Sequence, residues 1–495
     1  MKYSKSLPYL LLWLAAATQA ATGDDPSIAS TDPEASDVPV AEQDLEAEMQ
    51  GMGPDSIRDS DEISLDLLNA EFRRVRMLVV DRAYDEADSV AKRAIEMAIR
   101  LKGPRSAEMA KALTNLAIVQ HYTAQYDAAE QNFQAAIEII EDNEDRLNTQ
   151  LVNPLKGLAA SQLEGGRPDL ASNSLQRAVH VTHVNDGPHN LTQVELLDSL
   201  TEVNVRMGLH EEANVLQETV YALNVRHFAE DTLDLIPSLM KRAHWQHRIG
   251  FVNQERATYR RIIRIYEAEI GKTALQLIEP LILLGKSFSF LDVSGEPGFR
   301  DQSFSGGEIY FRRAVRIAAE NPGSGWEMQS IAALALGDHY MRAGNTPRAS
   351  QTYRSVWELL SEDEARLDMR RKQLESVILL KMEPLPKYTD NAAPATVPDS
   401  EDPVLEGTVS MIYDISARGR ASDVKLLEAD PPELLEIQKA VQRELRRRVF
   451  RPRFFEAKAV ASTDQVLVHT FFYRKSDLDA LRDDDDSSAA ESEGS

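Results

Sequence analysis

The sequence predicts a mainly α-helical protein, a solenoid of helical hairpins followed by a small α+β domain of the order strand, strand, helix, strand. The first observation is internal repetition, because alanines recur every 42 residues, at Ala87, Ala129, Ala171 and Ala213. Self-similarity at a fixed period of this length is typical of stacked supersecondary units. The second observation is that helical periodicity stops near residue 382, and that apolar and polar residues alternate further on, as in β-strands.

Two further columns keep this interval and divide each unit into two helices. Small residues continue one heptad after the first column, and leucines precede its later members, at Ala94, Ala136, Ala178, Leu116, Leu158 and Leu200. A small side chain lets a neighbouring helix approach closely, while a leucine fills the groove between helices. We therefore expect seven hairpins over residues 63–382.

The repeat is less regular after Leu216. A hairpin is expected around residues 245–269, and the interval of 42 residues returns between Gly307 and Ala349. Residues 285–306 are rich in glycine, serine and phenylalanine, which predicts a long loop. This loop is either a plain insertion or a segment that binds a ligand.

A proline-rich linker, residues 383–403, separates the repeats from a different domain at residues 404–475. The helix of this domain is expected to begin at a proline and to carry its apolar residues mostly on one side. A tight turn at Arg418-Gly419 joins the first two strands. The expected elements are strands at Thr408–Ile415 and Ala421–Glu428, a helix at Pro432–Val449 and a strand at Gln465–Tyr473.

Both ends of the chain differ in composition from its middle. Residues 1–20 combine early lysines, an apolar core and small residues, the pattern of a cleaved secretory signal peptide. An uncleaved anchor is the competing interpretation, although the core is shorter than the roughly 20 residues of a spanning helix. Residues 21–62 and 476–495 are acidic and predict disordered segments. The net charge of −25 argues against nucleic acid as a partner.

The second repeat resembles tetratricopeptide repeats of the long, kinesin-light-chain-like form. The resemblance lies in Asn115-Leu116-Ala117 on the first helix and in Tyr126-Asp127-Ala128-Ala129-Glu130 with Ala136 on the second. In tetratricopeptide domains, polar residues on the first helix of each hairpin often hold a peptide by its backbone and carboxylates. The equivalent positions here predict a peptide-binding groove formed by Asn69, Arg73, Lys111, Asn115, Asn153 and Lys156.

The last domain resembles the C-terminal domain of TonB and its relatives. The residues concerned are Glu406-Gly407-Thr408-Val409, Gly419 in the first turn, and Phe450-Arg451-Pro452 after the helix. That family binds a segment of an outer-membrane receptor as an added strand, so the resemblance implies a Gram-negative host and a periplasmic location. Unpaired backbone groups along an edge strand supply the contacts. The family's strand order places the docking edge at Gln465, Val466, Leu467, Val468, His469, Thr470, Phe471, Phe472 and Tyr473.

The sequence contains no pattern that predicts a catalytic, metal or cofactor site. Cysteine is absent, which excludes thiolate sites and disulfides. Two pairs, His180 with His183 and His244 with His247, have the spacing of ligands on one helix face, but core or surface histidines explain them better. An arginine cluster follows the C-terminal helix and is either solvated or in contact with an acidic partner, anionic lipid or the chain's acidic tails. Its members are Arg443, Arg446, Arg447, Arg448, Arg451 and Arg453.

These patterns together favour a periplasmic adaptor that binds proteins. Its repeats would bind a protein or peptide, and its last domain would dock a second partner, for which a TonB-dependent receptor is one candidate. The alternative is a TonB-type energy transducer or an accessory of one, which requires a membrane-anchored N-terminus. Membrane association is expected only if residues 1–20 remain uncleaved. A cell-envelope enzyme is a third alternative without a nucleophile, base or metal site to support it.

Overall fold

The computed structural model describes residues 64–290, 304–389 and 402–478. The described residues are mainly helical, with a small strand-containing region near the C-terminus. It divides into two compact units, Met1–Glu230 and Asp231–Ser495. The expected signal peptide, the first acidic segment, most of the expected loop and nearly all of the acidic tail lie outside the described residues.

The described part of the first unit contains four antiparallel hairpins, in each of which helix A precedes helix B. Serine caps begin two of the A helices, because Ser64 Oγ and Ser106 Oγ each accept an N–H three residues later at 3.2 Å. All four alanines of the first column are fully buried, consistent with close helix contact. The helices are α1 (Leu65–Val80), α2 (Tyr84–Lys102), α3 (Ala107–Tyr122), α4 (Tyr126–Asn143), α5 (Val152–Glu164), α6 (Pro168–Asp186), α7 (Thr192–Arg206) and α8 (His210–Phe228).

The second unit continues with three more hairpins and a shorter helix in the part that the structure describes. Glycines on two of its A helices meet aromatic rings: a Cβ at Gly285 would lie 2.7 Å from Phe311, and one at Gly337 would lie 2.5 Å from Tyr353. Glycine is thus required for these helices to approach. The helices are α9 (Ile236–Arg248), α10 (Val252–Glu269), α11 (Ile278–Ser287), α12 (Glu308–Glu320), α13 (Trp326–Arg342), α14 (Thr346–Leu359) and α15 (Glu364–Leu374).

The interval of 42 residues persists for one hairpin beyond Leu216, to Val252, and is lost after it, because the next two B helices begin at Glu308 and Thr346. The first five B helices begin at intervals of 42 residues, at Tyr84, Tyr126, Pro168, His210 and Val252. The buried position of the alanine column is still present at residue 255, but it is no longer an alanine. Glu255 takes the place of the buried alanine and is itself only 3% exposed. Its carboxylate remains paired, because Oε2 lies 3.1 Å from His247 Nδ1.

The C-terminal region contains a three-stranded antiparallel sheet of order β3-β2-β7, with helix α16 covering one face. Buried and half-buried residues alternate along β2 from Gly407 to Ile415, and the inward residues Val409, Met411 and Ile415 are at most 2% exposed. They pack with Val441 and Leu445 of the helix. The elements are β1 (Ile378–Lys381), β2 (Val404–Ile415), β3 (Ala421–Asp430), α16 (Leu435–Arg447), β4 (Val449–Arg451), β5 (Arg453–Phe455), β6 (Lys458–Val460) and β7 (Ser462–Arg474).

The strand-containing region is fastened to the last helical hairpin. Strand β1 follows helix α15 directly and pairs antiparallel with β4, so the chain joins the two parts by a small sheet. Arg451, at the end of β4, binds Asp338 of α13 with two hydrogen bonds of 2.8 and 2.6 Å. Tyr353 of α14 donates to the same carboxylate at 2.7 Å. This buried network fixes the domain on helices α13 and α14.

Candidate binding surfaces

The residues of the expected peptide groove lie on three consecutive A helices. Asn69, Lys111 and Asn153 occupy equivalent positions on α1, α3 and α5, 42 residues apart. Helix α3 contacts both α1 and α5, so these helices form a continuous layer. We call this layer with its six polar residues the helix A surface.

The polar residues of the helix A surface differ in exposure. Arg73 and Lys111 are exposed, Asn69 and Asn153 are half-buried, and Asn115 is 5% exposed. Within the described part of the chain, the side chains of these five residues make no hydrogen bond or ion pair. A buried amide such as that of Asn115 normally has a partner, and a bound peptide backbone would supply one.

Lys156 is the sixth residue of the helix A surface and is already paired. Its side chain is 5% exposed, and its Nζ donates to Glu195 Oε2 of α7 at 2.6 Å. A buried ammonium requires such a partner, because an unpaired charge loses its hydration. Lys156 therefore links adjacent A helices, and the lysine that is exposed to a ligand is Lys111.

Arg76 is a further cation of this surface, which was not among the residues predicted from the sequence. Arg76 lies one turn after Arg73 on α1, where burial and then the neighbouring charge of Arg73 lower the pKa of the Arg76 guanidinium. Two arginines held this close favour a negatively charged ligand. The signal was present in the sequence, because the spacing of three residues places both arginines on one helix face.

Strand β7 contains the expected docking residues 465–473 and forms one edge of the three-stranded sheet. Its register with β2 is unbroken from Gln465 to Arg474. The backbone of Phe472 faces away from β2, because its N–H donates to Lys387 O at 2.8 Å and its C=O accepts from Thr389 N–H at 3.0 Å. Because the direction of the backbone N–H and C=O groups alternates along a strand, the other even-numbered residues of β7 also point these groups away from β2. The outward backbone groups of Val466, Val468 and Thr470 have no partner within the described ranges.

The first part of the expected linker follows the domain closely. We call residues 383–389 the strap. The N–H of Glu383 donates to Glu444 at 2.5 Å, and Pro386 O accepts from His469 Nε2 at 2.8 Å. The strap then forms a parallel bridge to Phe472. It covers one end of the β7 edge, and no described residue pairs with the outward backbone groups of Val466, Val468 and Thr470.

The stretch of β7 from Val466 to Thr470 is also apolar on its outer face. Val466 is 55% exposed and Val468 is 61% exposed, although valine is usually buried. The residues opposite them on β2, Ile412 and Ser410, are half-buried. Exposed apolar side chains beside unpaired backbone groups are characteristic of an edge that accepts another strand.

The arginine cluster divides into two groups. Arg443, Arg446, Arg447 and Arg453 are exposed, as a solvated role requires. Arg448 is 5% and Arg451 is 4% exposed, so the solvated interpretation is wrong for these two. Arg451 binds Asp338, as described above. The sequence could not reveal this pair, because its members are 113 positions apart.

Neither histidine pair has a third metal-binding side chain beside it among the described residues. His180 and His183 are exposed on α6, as is His244 on α9. The hydrogen bond that the His247 ring donates to Glu255 raises the pKa of His247 above its usual value, against the effect of partial burial. No cluster of three or more metal-binding side chains occurs in residues 64–290, 304–389 and 402–478. No helix in these ranges is long and apolar enough to cross a membrane.

Comparison with known families identifies the repeats. Residues 73–142 match the family model of the tetratricopeptide repeat. The matched segment runs from α1 to α4, so it includes Arg73, Lys111 and Asn115 of the helix A surface. The tetratricopeptide part of the prediction is thereby confirmed, and such folds are protein-interaction modules. No curated protein sequence matches the chain.

Several solved structures are similar to part of the chain. Nearly identical tetratricopeptide-like repeats of a kinesin light chain from Podospora anserina are 13% identical, with 41% of this chain and 96% of that chain covered and a TM-score of 0.37. BtubC from P. vanneervenii is 17% identical, with 49% and 94% covered and a TM-score of 0.37. The quorum sensor NprR from B. thuringiensis is 11% identical, with 67% and 90% covered and a TM-score of 0.34.

Proposed function

We propose that the protein is a periplasmic adaptor with two protein-binding surfaces, and that it carries out no reaction of its own. Strand β7 accepts an extended segment of one partner, and the helix A surface holds a peptide of another. The observation that carries the first assignment is the open edge at Val466, Val468 and Thr470. Backbone groups that are unpaired in one chain can pair with an added strand, which supplies affinity without a deep pocket.

The likeness to the TonB C-terminal domain supports strand addition as the mode of binding. Two glycines of the resemblance have a steric reason to be glycine. A Cβ at Gly407 would lie 2.7 Å from Phe471 and 2.9 Å from Asp430 O, and one at Gly419 would overlap Phe450 O. In this proposal the partner at β7 is an outer-membrane receptor of the TonB-dependent class, and residues 1–20 direct export to the periplasm.

A proline scan of β7 in the full-length protein tests this docking. Val468→Pro removes an outward N–H, so it should abolish binding of an extended receptor-derived peptide while leaving the β2 ladder intact. The matched variant Leu467→Pro removes an N–H that faces Met411 of β2, so it should destabilise the sheet. Circular dichroism of both variants reports their folding. Full binding by a folded Val468→Pro protein would exclude this edge.

The helix A surface supports the second half of the proposal. Arg73, Arg76 and Lys111 provide positive charge, and Asn115 provides an unused amide. Charge reversal by Lys111→Glu should weaken binding of an extended acidic peptide at least about tenfold. Lys102→Glu is the control, because Lys102 is exposed at the end of helix α2 and not on an A helix. Equal loss in both variants would point to net charge alone.

The alternative is an energy transducer, which differs from the adaptor in its N-terminus. A transducer must remain anchored in the inner membrane, whereas the adaptor loses residues 1–20 and is soluble. N-terminal sequencing of the mature protein separates the two. A start near Ala21 in the periplasmic fraction supports the adaptor, and an intact Met1 in the membrane fraction supports the transducer.

A further inference from the structure

Arg448, at the end of helix α16, is a buried residue for which the described residues supply no counter-ion. The residue is 5% exposed, and its Nε is buried without a hydrogen-bond acceptor. Its side chain has no hydrogen bond and no carboxylate within ion-pair distance in the described part of the chain. Glu444, one turn earlier on the same helix, accepts instead from the N–H of Glu383 in the strap. The other buried arginine nearby, Arg451, has the full set of partners that Arg448 lacks.

Arg448 lies two residues before Phe450, whose ring centroid is 6.3 Å from that of Tyr413. Burial raises the pKa of Tyr413 and the charge of Arg448 opposes this rise, whereas burial lowers the pKa of His469 and Arg448 lowers it further. These charge effects agree with a position of Arg448 near Tyr413 and His469. Tyr413 lies opposite Gln465 on β7, four residues before His469. Arg448 is thus placed on the helix-covered side of the sheet near Gln465 and His469, whose side chain also contacts Pro386 of the strap.

Burial of an unpaired guanidinium is costly, because the group loses its hydration and gains no ionic partner. A ligand that supplies an acceptor would remove this cost. A strand added to β7 would continue the alternation of side chains, so every second residue would face the covered side of the sheet, where Arg448 lies. A carboxylate at such a position could form a charge-assisted hydrogen bond with the guanidinium.

We infer that the segment that docks on β7 carries an acidic residue on its inward face, and that Arg448 selects it by pairing with this carboxylate. The inference rests on the proposed docking function and names the chemistry of the partner. Backbone pairing at Val466, Val468 and Thr470 accepts any extended sequence, whereas the buried arginine distinguishes an acidic residue from a neutral one of the same shape. Arg448 is thus a specificity-determining residue of the docking edge.

Two blocked heptapeptides test this inference on the full-length protein. Both alternate threonine and valine, and the central residue is glutamate in one and glutamine in the other. Fluorescence anisotropy should show at least about tenfold tighter binding of the glutamate peptide, the advantage of a hydrogen bond to a charged group. Arg448→Gln should remove this preference, and Arg448→Lys should keep part of it. Arg443→Gln, which changes an exposed arginine of the same helix, should leave the preference intact.

Each outcome bears on a different claim. Equal affinity of the wild-type protein for the two peptides would overturn the inference and leave strand docking standing. A glutamate preference that survives Arg448→Gln would also overturn it, because another cation would then be responsible. If neither peptide binds the wild-type protein, docking on β7 fails and the inference fails with it. The comparison of the two peptides on wild-type protein needs no variant, so misfolding of Arg448→Gln cannot hide the result.

Discussion

His121 of α3 is buried between the second and third hairpins. His121 is 6% exposed, and its Nδ1 lies 3.0 Å from Ser161 Oγ of α5. Burial lowers the pKa of His121 to about 4, so the ring is neutral in the folded protein at pH 7. Protonation then requires a charge to enter the helix interface without a compensating acid.

The stability of the first unit should therefore depend on pH through His121. An unfolded histidine binds a proton near pH 6.5, whereas the folded one binds it only near pH 4, so stability falls as the pH drops between these values. The difference corresponds to about 3 kcal/mol. Urea unfolding at pH 7 and pH 4 should show a smaller loss for His121→Gln than for the wild-type protein. Equal losses would contradict the assignment.

Ala129 gives a second test at the scale of single residues. The side chain is fully buried in the column that recurs through the first four B helices. Ala129→Leu should overpack the helix crossing and cost about 1–3 kcal/mol of stability. Gln131→Leu, at an exposed site of the same helix, is the control and should change stability little. An unchanged melting temperature for Ala129→Leu would refute the close helix contact.

Single residues also show what the sequence could and could not reveal. The alanine column is visible in the sequence, because packing restricts each position to a small side chain. The roles of Arg448 and Arg451 are not visible, because a run of arginines at a helix end also fits a solvated surface. Their difference depends on contacts with residues far away in the chain, such as Asp338.

At the scale of elements, strand β7 should show two kinds of backbone amide. The N–H of Phe472 is bonded to the strap, whereas the N–H groups of Val468 and Thr470 face outward without a partner in the described ranges. Hydrogen exchange should therefore be slow at Phe472 and fast at Val468 and Thr470. Partner binding should slow exchange at the latter two. Uniform protection along β7 in the free protein would mean that the edge is already covered.

The strap can be released by one substitution. Thr389→Pro removes the N–H that donates to Phe472 O, and the side-chain bond to Asp477 Oδ2 at 2.6 Å is lost with it. Exchange at Phe472 should then become faster, and the docking edge should lengthen. Thr389→Val is the matched control, since it keeps the N–H and loses only the hydroxyl. The sequence predicted a plain linker here, because prolines mask the pairing of so short a segment.

At the scale of the molecule, the network of Asp338, Tyr353 and Arg451 should control how the C-terminal domain unfolds. Asp338→Ala leaves the buried guanidinium without its carboxylate, which should cost about 3–5 kcal/mol. The double variant with Arg451→Met should be less destabilised than the two single changes predict in sum. Thermal unfolding of the four proteins completes the cycle. Strict additivity would mean that the pair contributes nothing to the attachment.

The succession of hairpins was largely predictable from the sequence. The persistence of the 42-residue interval as far as the fifth hairpin was not. The interval of 42 residues extends to Val252, although the buried column changes from Ala213 to Glu255. A helix crossing accepts a glutamate there because His247 compensates it. The helices therefore keep the interval for longer than the residue types do. A search for repeated residue types alone underestimates the length of the regular array.

The long ladder between β2 and β7 also has a mechanical consequence. It runs from the pair Val404 and Arg474 to the pair Ile415 and Ser462. A partner held along β7 and pulled parallel to the strand would load this ladder in shear, so its hydrogen bonds would resist together instead of opening one after another. Arg451 and the β1–β4 pairing pass the load on to helices α13 and α14. Tension on a docked partner would therefore reach the helical repeats through a stiff joint.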